Sequence, residues 1–216
     1  PVNAGLVKEV TYTLLESTTN VPMIFDIWLS AAEGDPSGMA ILTLVGPSMF
    51  ANTSVWGHNA ALRTSLGQFV PKRDYRTELN PPDSIIGSPG TTESYAEYTA
   101  WPANLIPEAY RQVRPSDVET LLVSGSIDFN TPVQFARDEL LPLLSNGQQV
   151  IVSEAGHAAD LVTLQPEALK RLVTSFYDTG VADDSLFVYH PVSFEPSIRT
   201  TTIARLLVAA MIVLPV

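Results

Sequence analysis

The sequence predicts an α/β fold: a block of short helices over residues 1–115, then the end of a parallel sheet over 116–180. Two observations carry this. Apolar residues recur at helical spacing through the first block, and the second alternates strand, helix, strand, helix, the order of a parallel sheet with right-handed crossovers.

Taken in order, Leu6, Val10, Leu14 and Leu15 mark one helix, Ile24, Ile27, Trp28 and Ala31 a second, and Met39, Ile41, Leu42 and Val45 a third. Breaks are expected at Thr19-Asn-Val-Pro22, Gly34-Asp-Pro-Ser-Gly38 and Gly46-Pro-Ser48. Turn residues crowd from Asn80 to Gly90, after which Tyr95, Tyr98 and Trp101 suggest another short helix. Thr120-Leu-Leu-Val123 is an apolar run suited to a strand buried on both faces. Thr131-Pro-Val-Gln134 reads as a helix start, with Thr131 as N-cap and Gln134 closing a capping box, and that helix ends at Ser145-Asn-Gly147. Gln149-Val-Ile-Val-Ser153 is the next strand, and a last helix runs from near Pro166 to Gly180.

Residues 181–202 read as an extended strap with Phe187, Tyr189 and Phe194 between prolines. Residues 203–216 read as the start of a transmembrane helix. The run from Leu206 to Val216 is unbroken apolar sequence, but a span needs about 20 residues. The chain begins at Pro1 with no leader, so a start codon and any targeting segment are expected outside it.

Twelve basic against twenty-three acidic residues give a formal charge of −11, which repels phosphate backbones and excludes a nucleic-acid partner. With no cysteine there is no thiolate nucleophile, disulfide framework or Cys-ligated metal. No cofactor and no metal are expected.

Reacting groups in an open parallel sheet gather at the carboxyl ends of its strands. Asp128 follows the first strand and His157 the second, in Glu154-Ala-Gly-His157. On neighbouring strands the carboxylate can accept from the imidazole Nδ1–H and leave Nε2 free as a base. Taken singly, Asp128 also suits a turn residue bonding its own backbone, and His157 a structural histidine. His58 reads as a surface residue, and His190 receives no role. Trp28, Trp56, Trp101 and Tyr110 suit either a cleft or a core.

Gly125-Ser-Ile-Asp128-Phe-Asn-Thr-Pro132, with Gly156-His157 beyond it, resembles the acid and histidine loops of the α/β-hydrolase fold. Tyr110 through Gly125, and on to Leu164-Gln-Pro-Glu167, is similar to the C-terminal region of tripeptidyl-aminopeptidase-like and proline-iminopeptidase-like serine hydrolases. The resemblance covers about residues 105–180, with the preceding block as a loosely matching helical lid. It implies Asp128 as triad acid, His157 as general base, and a serine earlier in a Gly-x-Ser-x-Gly elbow. No such elbow occurs. Ser37 in Gly34-Asp-Pro-Ser-Gly38 and Ser48 in Gly46-Pro-Ser-Met-Phe50 depart from the pattern. The chain is therefore expected to be the C-terminal portion of such an enzyme, inactive alone, its partner the missing N-terminal half of the same protein. Its substrate would be a peptide or ester, with a peptide N-terminus favoured, whose free amine Glu33, Asp35 or Glu93 could hold. Its place would be at a membrane, outside the cytoplasm. Three alternatives stay open: a non-catalytic binding module of the same fold, a same-fold hydrolase with an aspartate nucleophile, and a membrane-anchored structural protein.

Overall fold

The computed structural model describes residues 2–50, 55–67, 74–89, 101–102 and 104–213. The chain forms two compact units. One comprises Pro1–Leu14, Met23–Arg111 and Glu195–Val216, the other Leu15–Pro22 and Gln112–Phe194.

The first unit is helical: α1 (Ala4–Leu15), α2 (Val21–Ala32), α3 (Ser37–Phe50), α4 (Trp56–Ser65) and α5 (Tyr75–Leu79) are its leading helices. Val7, Val10, Ile24, Ile27 and Leu42 are almost fully buried, so part of the expected apolar spacing faces the interior, whereas Val45 is exposed. The break expected at Gly46-Pro-Ser48 does not occur, because α3 runs through it with Pro47 inside the helix. Packing overrides the local signal. A Cβ on Gly46 would stand 2.8 Å from the Leu6 side chain and 2.9 Å from that of Val10, so the glycine lets α1 approach α3 closely. Trp28 is half-buried, its Nε1 donating to Thr11 Oγ1 at 3.1 Å. The helix expected around Tyr95 and Tyr98 lies outside the described residues.

Residues 200–213 form a helix, here called α9 (Thr200–Val213), that packs on α3. The carboxylate of Asp26 fixes its start, accepting from Thr200 N at 2.6 Å and Arg199 Nε at 3.0 Å. Burial pushes the Asp26 carboxyl up, but these donors outweigh it and hold the pKa below its ordinary value. Leu206, Leu207 and Val208 are exposed. Among the described residues no helix is long and apolar enough to cross a membrane.

The second unit carries the sheet. Strand β1 (Thr120–Gly125) pairs in parallel with β2 (Gly147–Val152), in a register that sets Val123 against Val150 and Gly125 against Val152. The connecting helix departs from expectation. It is one α turn, α6 (Val133–Phe135), followed by a π-helical stretch Ala136–Leu140 and a 3-10 turn Leu141–Leu143. Pro142, which lacks an N–H, lies in that last turn and suits its breakdown. Thr131 makes no capping box, because its hydroxyl is spent on Asp128.

After β2 come α7 (Ala158–Thr163) and α8 (Pro166–Thr179), the latter closed by Gly180 at φ 73°, a left-handed C-cap that favours glycine. Residues 181–194 follow without regular structure and are held by amide side chains that read their backbone. Gln148 accepts from Ala182 N at 2.9 Å and donates to Gly180 O at 2.7 Å. Gln165 does the same for Val188, at 2.9 and 2.8 Å.

Candidate active site

Parallel pairing brings the ends of β1 and β2 level, and the hydrogen bonding continues past them. Ser126 N donates to Val152 O at 2.9 Å, Ile127 N to Ala155 O at 3.1 Å, and Glu154 N to Ser126 Oγ at 2.9 Å. Glu154 takes φ 56°, a left-handed conformation uncommon for a side chain this size, which turns the chain towards His157. Gly125 sits where the loops touch, and a methyl group there would overlap the backbone carbonyls of Ala155 and Gly156. Gly125→Ala should therefore lower stability by about 3 kcal/mol, the upper end for overpacking, since both obstacles are backbone. Thermal denaturation followed by circular dichroism checks this, and an unchanged midpoint would refute the close approach.

This junction delivers Asp128 and His157 to one another. Asp128 Oδ2 lies 2.9 Å from His157 Nδ1, with the Asp128 side chain 7% and the imidazole 31% exposed. The carboxylate divides its work between its two oxygens. Oδ1 accepts the Asn130 and Thr131 amides at 2.9 Å each, closing a turn on its own backbone. Oδ2 accepts the Thr131 hydroxyl at 2.8 Å as well as the imidazole. Both sequence readings of Asp128, turn former and imidazole partner, thus hold together. Burial pushes the Asp128 carboxyl up, but the Thr131 amide, the His157 ring and the Thr131 hydroxyl together hold its pKa below the ordinary value. A charged carboxylate at Nδ1 calls for a proton there, and in the neutral ring that tautomer leaves Nε2 with a lone pair. Among the described residues Nε2 has no hydrogen-bond partner.

A second carboxylate, which sequence reasoning missed, supports the imidazole loop. Asp160 in α7 is fully buried. Its Oδ2 accepts Gly156 N at 2.8 Å, Thr18 N at 2.9 Å and Thr18 Oγ1 at 2.8 Å, while Oδ1 accepts from Ser17 Oγ. Glu16, also missed, meets both loops. Its carbonyl accepts His157 N at 2.7 Å and its carboxylate accepts Asn130 Nδ2 at 3.0 Å. A lone acid in the apolar stretch Ala158-Ala-Asp-Leu-Val162 was a faint signal for Asp160. Glu16 offered none.

The other candidates lie elsewhere. Ser37 opens α3, its amide donating to Asp35 Oδ1 at 3.1 Å, and Ser48 is exposed inside the same helix. Asp35 and Glu33 face arginines, Arg205 at 3.2 Å and Arg199 at 4.0 Å respectively, and Glu93 lies outside the described residues. His58 and His190 are exposed. Among the described residues no group of three or more His, Asp or Glu side chains could hold a metal ion.

Residues 87–185 match the family model described as TAP-like protein. The match supports an α/β-hydrolase family and hydrolase-type function. No curated protein and no solved structure matches the chain significantly.

Proposed function

We propose, with the α/β-hydrolase match as premise, that this chain supplies the acid and the general base of a serine hydrolase, Asp128 and His157, for acyl transfer from a peptide or ester. The observation that carries the reading is the 2.9 Å contact between Asp128 Oδ2 and His157 Nδ1, on a ring whose Nε2 stays unengaged among the described residues. In that arrangement Nε2 takes the proton of a serine hydroxyl as the oxygen attacks the carbonyl carbon, then returns it to the leaving amine or alcohol. Asp128, kept charged by its donors, stabilises the imidazolium formed in between.

The serine itself is assigned to polypeptide outside residues 1–216, since these contain no Gly-x-Ser-x-Gly. Among the described residues β1 pairs on one side only. A groove of about 600 Å³, lined in part by Leu121, Val123, Asn130, Thr131 and Phe135, runs beside it. We assign that groove to the serine-bearing part of the sheet. A peptide N-terminus is the proposed substrate class, in line with the aminopeptidase-like resemblance, and a membrane-associated, extracytoplasmic setting belongs to the same reading.

The test uses a polypeptide in which a Gly-x-Ser-x-Gly segment precedes these residues, assayed on tripeptidyl and aminoacyl anilides beside the 216-residue chain. Hydrolysis is expected from the longer polypeptide alone, with His157→Ala lowering kcat by at least about 10³. Hydrolysis unaffected by His157→Ala would sink the reading. A fluorophosphonate probe separates a serine nucleophile, which it labels, from an aspartate, which it does not.

A further inference from the structure

We propose that Glu16 is a positioning residue for the Asp128–His157 pair, tying the acid loop to the base loop through one side chain and one carbonyl; this rests on reading that pair as acid and base. The residue sits between α1 and α2, yet belongs to the same compact unit as both loops. Its Oε1 accepts from Asn130 Nδ2 at 3.0 Å, two positions past Asp128, and its carbonyl accepts from the amide of His157 itself at 2.7 Å. These are two ties, one per loop, from a single residue distant in sequence from both.

The approach is close enough to dictate a neighbour. A methyl group on Gly156 would overlap the Glu16 carbonyl oxygen, so the residue before the histidine is held to glycine by Glu16 rather than by its own φ. The next two residues fix the tie in place, since Ser17 and Thr18 are gripped by the buried Asp160, which also takes the Gly156 amide.

Stability alone does not account for a carboxylate here. Burial pushes the Glu16 carboxyl up, His157 pulls it partly back and Asp128 pushes it up again, and the net pKa is raised. A glutamate raised on folding is a cost to the folded state wherever it is ionised. That cost is full above the raised value and gone below the ordinary one. The charged and titratable groups around it are Asp128 and Asn130's loop on one side, His157 on the other, and Asp160 behind Ser17 and Thr18. A carboxylate kept beside an acid–base pair at a cost to folding is the pattern of a functional position.

The experiment compares wild type, Glu16→Gln, Glu16→Ala, Asn130→Ala and Asp128→Asn in the 216-residue chain by proton NMR and thermal denaturation. The readout is the low-field Nδ1–H resonance of His157, identified by its loss in Asp128→Asn. Glu16→Ala and Asn130→Ala each cut the tie from one end, and both are expected to lose or broaden that resonance. Glu16→Gln keeps an acceptor for Asn130 and is expected to retain it, while melting above wild type at pH 7 by a margin that shrinks as the pH falls. Should Glu16→Ala fail to fold, Asn130→Ala decides. A resonance unchanged in Asn130→Ala, or in a folded Glu16→Ala, overturns the positioning role and leaves the acid–base reading standing. A wild type with no such resonance, matching Asp128→Asn, overturns the acid–base reading and this role with it.

Discussion

On the proposed acid–base reading, Asp128→Asn is expected to lower kcat by about 10⁴, with KM nearly unchanged, in a polypeptide that adds the serine segment. The asparagine oxygen can still take the Asn130 and Thr131 amides that Oδ1 takes now, so the turn survives. The amide group then falls where Oδ2 meets the imidazole, and an NH₂ there donates to Nδ1 instead of accepting from it. The ring's proton is driven to Nε2, the atom that should be the base, so an intact fold carries the wrong tautomer. Steady-state kinetics on a tripeptidyl anilide, with circular dichroism as the control, checks this, and a fall of under tenfold would remove Asp128 from the mechanism. The substitution also has a pH signature in stability. Because the folded-state pKa of Asp128 is depressed, the stability its charge contributes is fully present above the ordinary aspartate value. It is lost as the pH falls through the depressed one, so the gap between wild type and Asp128→Asn closes at acid pH.

Asp160→Ala costs about 4 kcal/mol, and the midpoint of thermal unfolding falls by about 10 °C. The two amides that Asp160 accepts, Thr18 N and Gly156 N, would be left without an acceptor inside the unit, each costing about 1–3 kcal/mol, and two hydroxyls would lose theirs. Asp160→Asn should cost less than half as much. Its oxygen can take the place of Oδ2, and its amide can donate to Ser17 Oγ, whose own proton then turns to Thr19 Oγ1, 2.8 Å away. Equal losses in the two variants, measured by thermal denaturation at neutral pH, would mean that shape rather than hydrogen bonding decides at this position.

How far the sequence led can be read from particular residues. The helical spacing of Val10, Ile24, Ile27 and Leu42 identified residues that are buried, because burial of a helix face is a local pattern. Gly46-Pro47 misled for the opposite reason: the approach of Leu6 and Val10, forty and thirty-six positions away, decides whether that glycine breaks a helix. The same division holds at the site. Asp128 and His157 follow strands of recognisable composition, which suggested their pairing; the structure sets them 2.9 Å apart. Glu16 follows no pattern and Asp160 only a faint one, since Glu16 bonds Asn130 and His157, and Asp160 bonds Ser17 and Thr18, all far away in sequence. Thr131 was noticed for the wrong task, because a hydroxyl at a helix start does not announce that a carboxylate three residues back will claim it.

The hydrogen bonds that tie residues 16–18 to Asn130, His157 and Asp160, beyond the strand ends, bear on the order in which the molecule assembles. Asp128 and His157 are 29 positions apart, whereas Thr18 and Asp160 are separated by 142. Closing the longer loop costs about 1.4 kcal/mol more in chain entropy, a little over two doublings of length. The two strands and their tips should therefore find each other first, and the N-terminal segment should arrive last and leave first. In hydrogen exchange, the amides of Thr18 and His157 would open ahead of Val150 and Val152, uncovering the imidazole while the strands remain paired.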